Sequence, residues 1–154
     1  MRLVEFLPPE AVHADLAGRT SREVLEELCR PLVAAADPAR LLEALLLREA
    51  LGSTGIGGGF AIPHARVEGL PGLLASFGRA PSGIPFGAID NQPVRLFFLL
   101  FAPAGSSAGL HLRALARISR VFRSEALREA LLSATTSLDL HRLIAEADAA
   151  AEST

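Results

Sequence analysis

The run Val94-Arg95-Leu96-Phe97-Phe98-Leu99-Leu100-Phe101-Ala102 restricts the fold more than any other stretch of the chain. Successive side chains of a strand point to opposite faces, and from Leu96 onward both alternations are apolar, so neither face can be left to water. The segment reads as a central strand covered on both sides. Amphipathic helices that could cover it lie before and after it. Thr20-Ser21-Arg22-Glu23 has capping-box spacing ahead of Val24, Leu25, Leu28 and Leu32. Asp37-Pro38 supplies an N-cap and a first-turn proline ahead of Leu41, Leu42, Leu45 and Leu46, in a helix reaching about Leu51. A third helix opens at His111, with Leu112, Leu115, Ala116, Ser119 and Phe122 on one side and Arg113, Arg117, Arg120 and Arg123 on the other. Ser124 and Ser137 start two more, Glu125 to Leu132 and Leu138 to about Ala147. Leu73 to Phe77 reads as another strand. Strands between amphipathic helices place the chain in the α/β class.

The 154 residues suit one domain, 1–154, large enough to bury about 70% of the surface of the unfolded chain. Residues 1–19 form a lead-in in which Val4, Phe6 and Leu7 can pack and Pro8-Pro9 stops any helix; residues 148–154, acidic and rich in alanine, are expected to fray. Turn residues mark loops at Glu68 to Gly72, at Pro81 to Phe86 and on through Asp90-Asn91-Gln92-Pro93, and at Pro103 to Gly109. His13 and His141 read as surface residues, and Cys29, within an apolar helical pattern, as a small buried hydrophobe. A net charge of −2 argues against non-specific attraction to nucleic acid or anionic membrane. The longest apolar run is strand-sized, too short to insert in a membrane, and the acidic residue and two prolines near the start do not suit a signal peptide, so a cytoplasmic protein is expected.

The chemistry is concentrated in residues 52–66, Gly-Ser-Thr-Gly-Ile-Gly-Gly-Gly-Phe-Ala-Ile-Pro-His-Ala-Arg. Its glycines allow positive φ and close backbone approach, and Phe60-Ala61-Ile62 then begins a buried strand. Pro63 fixes its own φ and holds Ile62 extended, so His64 stands on a rigid support. Arg66, two residues on, shares the face of His64 if the chain stays extended, which sets a permanent cation beside a group able to carry a proton or a phosphoryl. Arg48, in the last turn of the second helix, either serves the helix dipole and free carbonyls or turns a guanidinium towards the loop that leads to His64.

Other readings of these residues fit less well. A dinucleotide fingerprint would need glycine where Phe60 stands, and a P-loop needs a lysine in a chain whose basic residues are all arginine. His64 and His111 lack the third ligand and the motif spacing of a metal centre, so no metal and no cofactor are assigned. A serine hydrolase would need its nucleophile raised on a strand-to-helix turn, and Ser53 follows a helix rather than a strand.

Arg48-Glu49, Ser53-Thr54-Gly55-Ile56-Gly57, Ala61-Ile62-Pro63-His64-Ala65-Arg66, Ile84-Pro85-Phe86 and Pro93-Val94 together resemble the IIA domain of the bacterial phosphotransferase system. The resemblance is to the fructose/mannitol class, which includes the stand-alone nitrogen-related regulatory proteins, and it runs in family order over nearly the whole chain. It implies a mixed β-sheet flanked by α-helices on both faces. It also implies that His64 is phosphorylated, on Nε2, and that Arg48 and a second histidine at the start of a helix, His111, lie in the active site. By residue type alone His111 would be a surface histidine at a helix start. Arg66 and the backbone of Gly57 and Gly58 become candidates to support a phosphoryl group. Thr54 or Ser53 would add a hydroxyl donor, although such residues at helix exits serve local hydrogen bonds just as often. The implied partners are an HPr/NPr-type phosphocarrier and either an EIIB protein or regulated targets. The chain would then be a phosphotransferase component rather than a stand-alone metabolic enzyme. Its length and its lead-in Phe6-Leu7-Pro8-Pro9-Glu10 resemble the regulatory branch.

Overall fold

The computed structural model describes residues 1–105 and 108–152. Six strands form one mixed sheet: β1 (Val12–His13), β2 (Gly55–Gly57), β3 (Phe60–Ala61), β4 (His64–Val67), β5 (Leu74–Ile84) and β6 (Val94–Pro103). The order is β1-β5-β6-β3-β2, with β4 also paired to β6. β5 runs antiparallel to β6, whereas β3 and β4 both run parallel to it, one after the other along the same edge. Pro63 has no N–H to give to that ladder, and the break between β3 and β4 falls beside it, but its carbonyl still accepts from Leu100 N at 3.0 Å, so the support under His64 is continuous.

As its two apolar alternations require, β6 is central and divides the core into two layers. Phe97, Leu99 and Phe101 pack against α1 (Ser21–Cys29) and α2 (Pro38–Glu49), through Val24, Leu25, Leu28, Cys29, Leu41 and Leu45. Leu96, Phe98 and Leu100 pack on the other face against α3 (Ala108–Phe122), α4 (Glu125–Ser133) and α5 (Ser137–Glu152). Phe122 stacks on Phe60 with centroids 4.6 Å apart and meets Phe77 and Phe98, contacts worth about 0.5–1.5 kcal/mol per pair beyond simple burial. Cys29 is fully buried, and that burial pushes its thiol up to about 12, so it packs as a hydrophobe.

The local signals of α1, α2 and α4 appear where the sequence places them, while α3 starts at Ala108, three residues ahead of the expected start at His111. Thr20 and Glu23 form the capping box of α1, and Asp37 caps α2 at Ala39 N with Pro38 at the first position. Ser124 caps α4; at α5 the capping hydroxyl belongs to Thr136, while Ser137 accepts from Ala14 N at 3.2 Å.

Several expectations need correction. The lead-in is part of the fold: Leu3 and Leu7 are fully buried, and β1 pairs in parallel with β5. Its His13 is half-buried, with a buried Nε2 that has no hydrogen-bond partner among the described residues, and His141 is held by a 3.0 Å bond between Nε2 and Leu7 O, so neither is a free surface residue. β5 extends through Pro81 to Ile84, because the ladder to β6 is broken between Arg79 and Ile84 and no N–H is needed from Pro81 there. The buried stripe of α3 is Ala114, Ile118, Val121 and Phe122, and Leu112 is 63% exposed. Arg117 leaves the arginine stripe to pair with the fully buried Asp148, which also accepts from Leu3 N at 2.6 Å. That pairing keeps residues 148–152 helical where fraying was expected; residues 153–154, and 106–107 of the loop before α3, lie outside the described residues.

Candidate functional site

His64 is the first residue of β4 and sits opposite Leu100 of β6. Burial alternates along β4, with Ala65 and Val67 in the core and His64 and Arg66 on the other side, so the two share a face as extended spacing demands. The His64 ring is oriented from behind. Nδ1 lies 2.7 Å from the carbonyl oxygen of Ile62. A carbonyl can only accept, so Nδ1 carries the proton and Nε2 presents a lone pair. Ile62 is itself placed by its N–H, which donates to Thr54 O at 3.1 Å.

His111, in the first turn of α3, meets His64 edge-on with ring centroids 5.4 Å apart at 63°. Its Nε2 is buried and has no hydrogen-bond partner among the described residues. Burial lowers the pKa of His64 from its ordinary value; the Ile62 carbonyl resists, Arg48 lowers it further and Glu49 opposes Arg48. Burial also lowers that of His111, helped by His64 and Arg66. Both rings are therefore held towards the neutral form, the one in which a ring nitrogen can act as nucleophile or hydrogen-bond partner.

Arg48 is half-buried at the end of α2 and donates from Nη1 to Gly52 O at 2.9 Å, so it braces the start of the loop while lying near enough to act on His64. The bond to Gly52 O is the carbonyl-serving reading of a last-turn arginine, made within the loop that leads to His64. Arg66 donates to Ala104 O at 3.1 Å and acts on His111. The two guanidiniums thus bear on the histidine pair, one on each ring.

The other candidates are placed differently. Gly57, Gly58 and Gly59 have φ of +92°, +65° and +76°, a turn only glycine makes without strain, and they form the tip between β2 and β3. Gly58 N–H donates to Asp90 Oδ2 at 3.0 Å. β3 pairs with β6 at Leu96, four register positions from Leu100, so the tip is roughly 13 Å along the sheet from His64. Ser53 Oγ donates to Phe86 O at 2.6 Å and accepts from Gly55 N at 3.0 Å, which makes it a loop anchor. Thr54 is 5% exposed; its hydroxyl donates to Glu49 Oε1 in a short bond, and its N–H donates to Glu49 Oε2 at 3.2 Å. Glu49 received no role from the sequence: a helix-terminal glutamate is ordinary, and only folding shows that its carboxylate closes on Thr54.

A neutral nucleophilic nitrogen, a second neutral imidazole beside it and two arginines acting on the pair suit transfer of an anionic group such as a phosphoryl, which asks for alignment and charge stabilisation. Residues 5–147 match the family described as "Phosphoenolpyruvate-dependent sugar phosphotransferase system, EIIA 2". The chain is 34% identical over 147 residues to a nitrogen regulatory protein of Bradyrhizobium diazoefficiens, covering 94% of this chain and 95% of that one. It is likewise 34% identical over 137 residues, 87% of its length, to a fructose-specific EIIABC component of Bacillus subtilis, of which it covers 21%. Among solved structures, nitrogen regulatory protein IIA-Ntr of Neisseria meningitidis superposes with a TM-score of 0.84 at 31% identity, over 91% of this chain and 97% of that one. Motif order, sheet topology and similarity along nearly the full length agree, and the chain belongs to the EIIA type-2 family of the phosphoenolpyruvate-dependent phosphotransferase system.

Proposed function

We propose that His64 Nε2 accepts a phosphoryl group from the phosphohistidine of an HPr/NPr-type carrier, and that the two phosphorylation states serve a regulatory role of the nitrogen-related kind. The observation that carries this reading is the Nδ1 bond to the Ile62 carbonyl, which leaves the Nε2 lone pair beside His111 and within the influence of Arg48. Arg48 is suited to hold phosphoryl oxygens because its guanidinium offers paired donors and keeps its charge. His111, kept neutral, offers a hydrogen bond to the ring or to the transferred group. Arg66 adds positive charge on the His111 side. Similarity to nitrogen regulatory proteins over nearly the whole chain supports the regulatory outlet.

A second outlet is supported by the fructose-specific relative: a sugar-transport EIIA that hands phosphate to a fructose- or mannitol-type EIIB. No helix among the described residues is long and apolar enough to cross a membrane, which suits a subunit working in the cytoplasm under either reading. Intact mass, taken before and after incubation with Enzyme I, an HPr-type carrier and phosphoenolpyruvate, tests the shared step. One acid-labile phosphoryl on wild type and none on His64→Ala is expected; an unmodified wild type with a cognate carrier overturns it. Passing phosphoryl from the labelled protein to a fructose-type EIIB would favour transport over regulation.

A further inference from the structure

The proposed phosphotransfer role is the basis for a more specific reading of Glu49, which bonds Thr54 and acts on His64 from there. Glu49 is the last residue of α2, and both of its carboxylate oxygens are engaged by Thr54, one by the hydroxyl and one by the backbone N–H. This two-point contact holds Thr54 by its side chain and its N–H. The carbonyl of Thr54 accepts Ile62 N–H at 3.1 Å, and the carbonyl of Ile62 accepts His64 Nδ1–H at 2.7 Å. A continuous set of bonds therefore runs from the end of α2, across the loop, to the back of the His64 ring. We propose that Glu49 is a positioning residue for phosphoryl transfer, holding His64 through Thr54 and Ile62 in its Nδ1–H tautomer with Nε2 facing the incoming group.

The charge balance of the step gives a carboxylate at this place a further use. The Nε2 lone pair forms the new N–P bond, and the electron pair of the donor's N–P bond returns to the donor's ring nitrogen. No proton has to leave His64, so its ring becomes a phosphorylated imidazolium with Nδ1–H still on Ile62. Positive charge appears on the ring during transfer, and a nearby anion stabilises it. Arg48, one residue earlier, acts on the ring in the opposite sense and suits the phosphoryl oxygens. Adjacent residues at one helix end thus serve opposite charges on the two sides of the new bond. A purely structural role, in which Glu49 does no more than satisfy a buried threonine, predicts altered stability with an unaltered His64 ring.

The two roles separate in a single set of variants: Glu49→Gln, which keeps an acceptor and loses the charge, Glu49→Ala, and Thr54→Ser, which keeps the hydroxyl. The ring nitrogens of His64, followed by 15N NMR without any carrier, report the tautomer. The expected result is a single Nδ1–H form in wild type and Thr54→Ser and a mixture of tautomers in Glu49→Ala. Transfer from a phosphorylated HPr-type carrier is expected to slow by about ten- to a hundredfold in Glu49→Ala with carrier binding unchanged, as small misplacements of a reacting group do. Glu49→Gln should keep the tautomer yet still transfer more slowly than wild type. A wild-type tautomer pattern in folded Glu49→Ala, or transfer within twofold of wild type, overturns the proposal. If wild type is never phosphorylated, the phosphotransfer reading fails by itself, and the tautomer measurement still decides what Glu49 does to His64.

Discussion

Arg79 and His64 both attach to the same central pair of strands, four register positions apart along β6, and they treat polar atoms in opposite ways. Arg79 is 6% exposed, and its guanidinium is spread over carbonyls: Nε donates to Ala14 O at 2.9 Å, and Nη1 donates to Leu131 O at 2.9 Å and to Ala134 O in a short bond. It joins the end of β1 to the end of α4, and its Nε and Nη1 donors are spent on the fold. At His64 it is Nδ1 that is anchored, and the neighbouring His111 Nε2 makes no hydrogen bond among the described residues. A buried polar group that builds structure spends its donors on the fold; the group proposed to do chemistry is anchored through one ring nitrogen and presents the other.

Substitutions can test that contrast, and the largest effect is expected at the anchored nucleophile. His64→Ala should abolish phosphorylation entirely while leaving the circular dichroism spectrum and the cooperative melt of the wild type. Residual acid-labile phosphate on that variant would move the site elsewhere. At the structural site the opposite outcome is expected: Arg79→Met strands several carbonyls and should cost about 3 kcal/mol in urea unfolding. Phosphorylation of the fraction still folded should remain. A stability loss under about 1 kcal/mol would mean that the carbonyls around Arg79 find water instead.

A smaller effect is expected at Arg48, which has a foot in each region: one donor is spent on Gly52 O while its charge bears on His64. Arg48→Ala should reduce the rate of transfer by roughly ten- to a hundredfold, no more than the lower end of what losing one donor that stabilises developing charge costs. Arg48→Lys should recover only part, because lysine lacks the paired donors. Single-turnover rates with phosphorylated carrier check both variants.

The mildest effect is on pH dependence. Burial lowers His64, His111 and His13 from the ordinary value of 6.5, so the unfolded chain takes up protons first as pH falls. Their contribution to stability is complete above about 6.5 and declines as pH drops below it towards the folded values. The melting midpoint should therefore fall between pH 7 and pH 5. His13→Gln should flatten that slope without changing transfer, since His13 lies in β1, across β5 and β6 from β4. An unchanged slope would remove His13 from the account.

Elements set by neighbours in sequence were legible. The capping box of Thr20 and Glu23, the Asp37-Pro38 start and the Ser124 cap are satisfied within a turn, so the residues that encode them are the residues that use them. Pro63 likewise acts on its immediate neighbours, which is why the rigid presentation of His64 could be read directly. Other features depended on distant partners. The face of α3 turned inwards is set by packing against β6 and α5, and Arg117 follows because Asp148 waits in the core. The expected frayed end is held by a bond from Asp148 to Leu3, 145 residues away. At the site, the glycine tip and Thr54 were candidates to serve a phosphoryl, and only the fold shows that Gly58 N–H is bonded to Asp90 and the Thr54 donors to Glu49.

The sequence by itself thus determined the α/β class, the central strand and its two coverings, the starts of three helices, and the histidine and arginines proposed for the chemistry. These follow from side-chain alternation, backbone restriction and the chemistry of single residues, all of which are local. Only the tertiary structure decided that Nε2 of His64 is the available atom, that His111 lies beside it, and which hydroxyls and N–H groups are already occupied. A hydrogen bond consumes both its partners, and partners brought together by folding from distant parts of the chain leave no mark in the spacing of either.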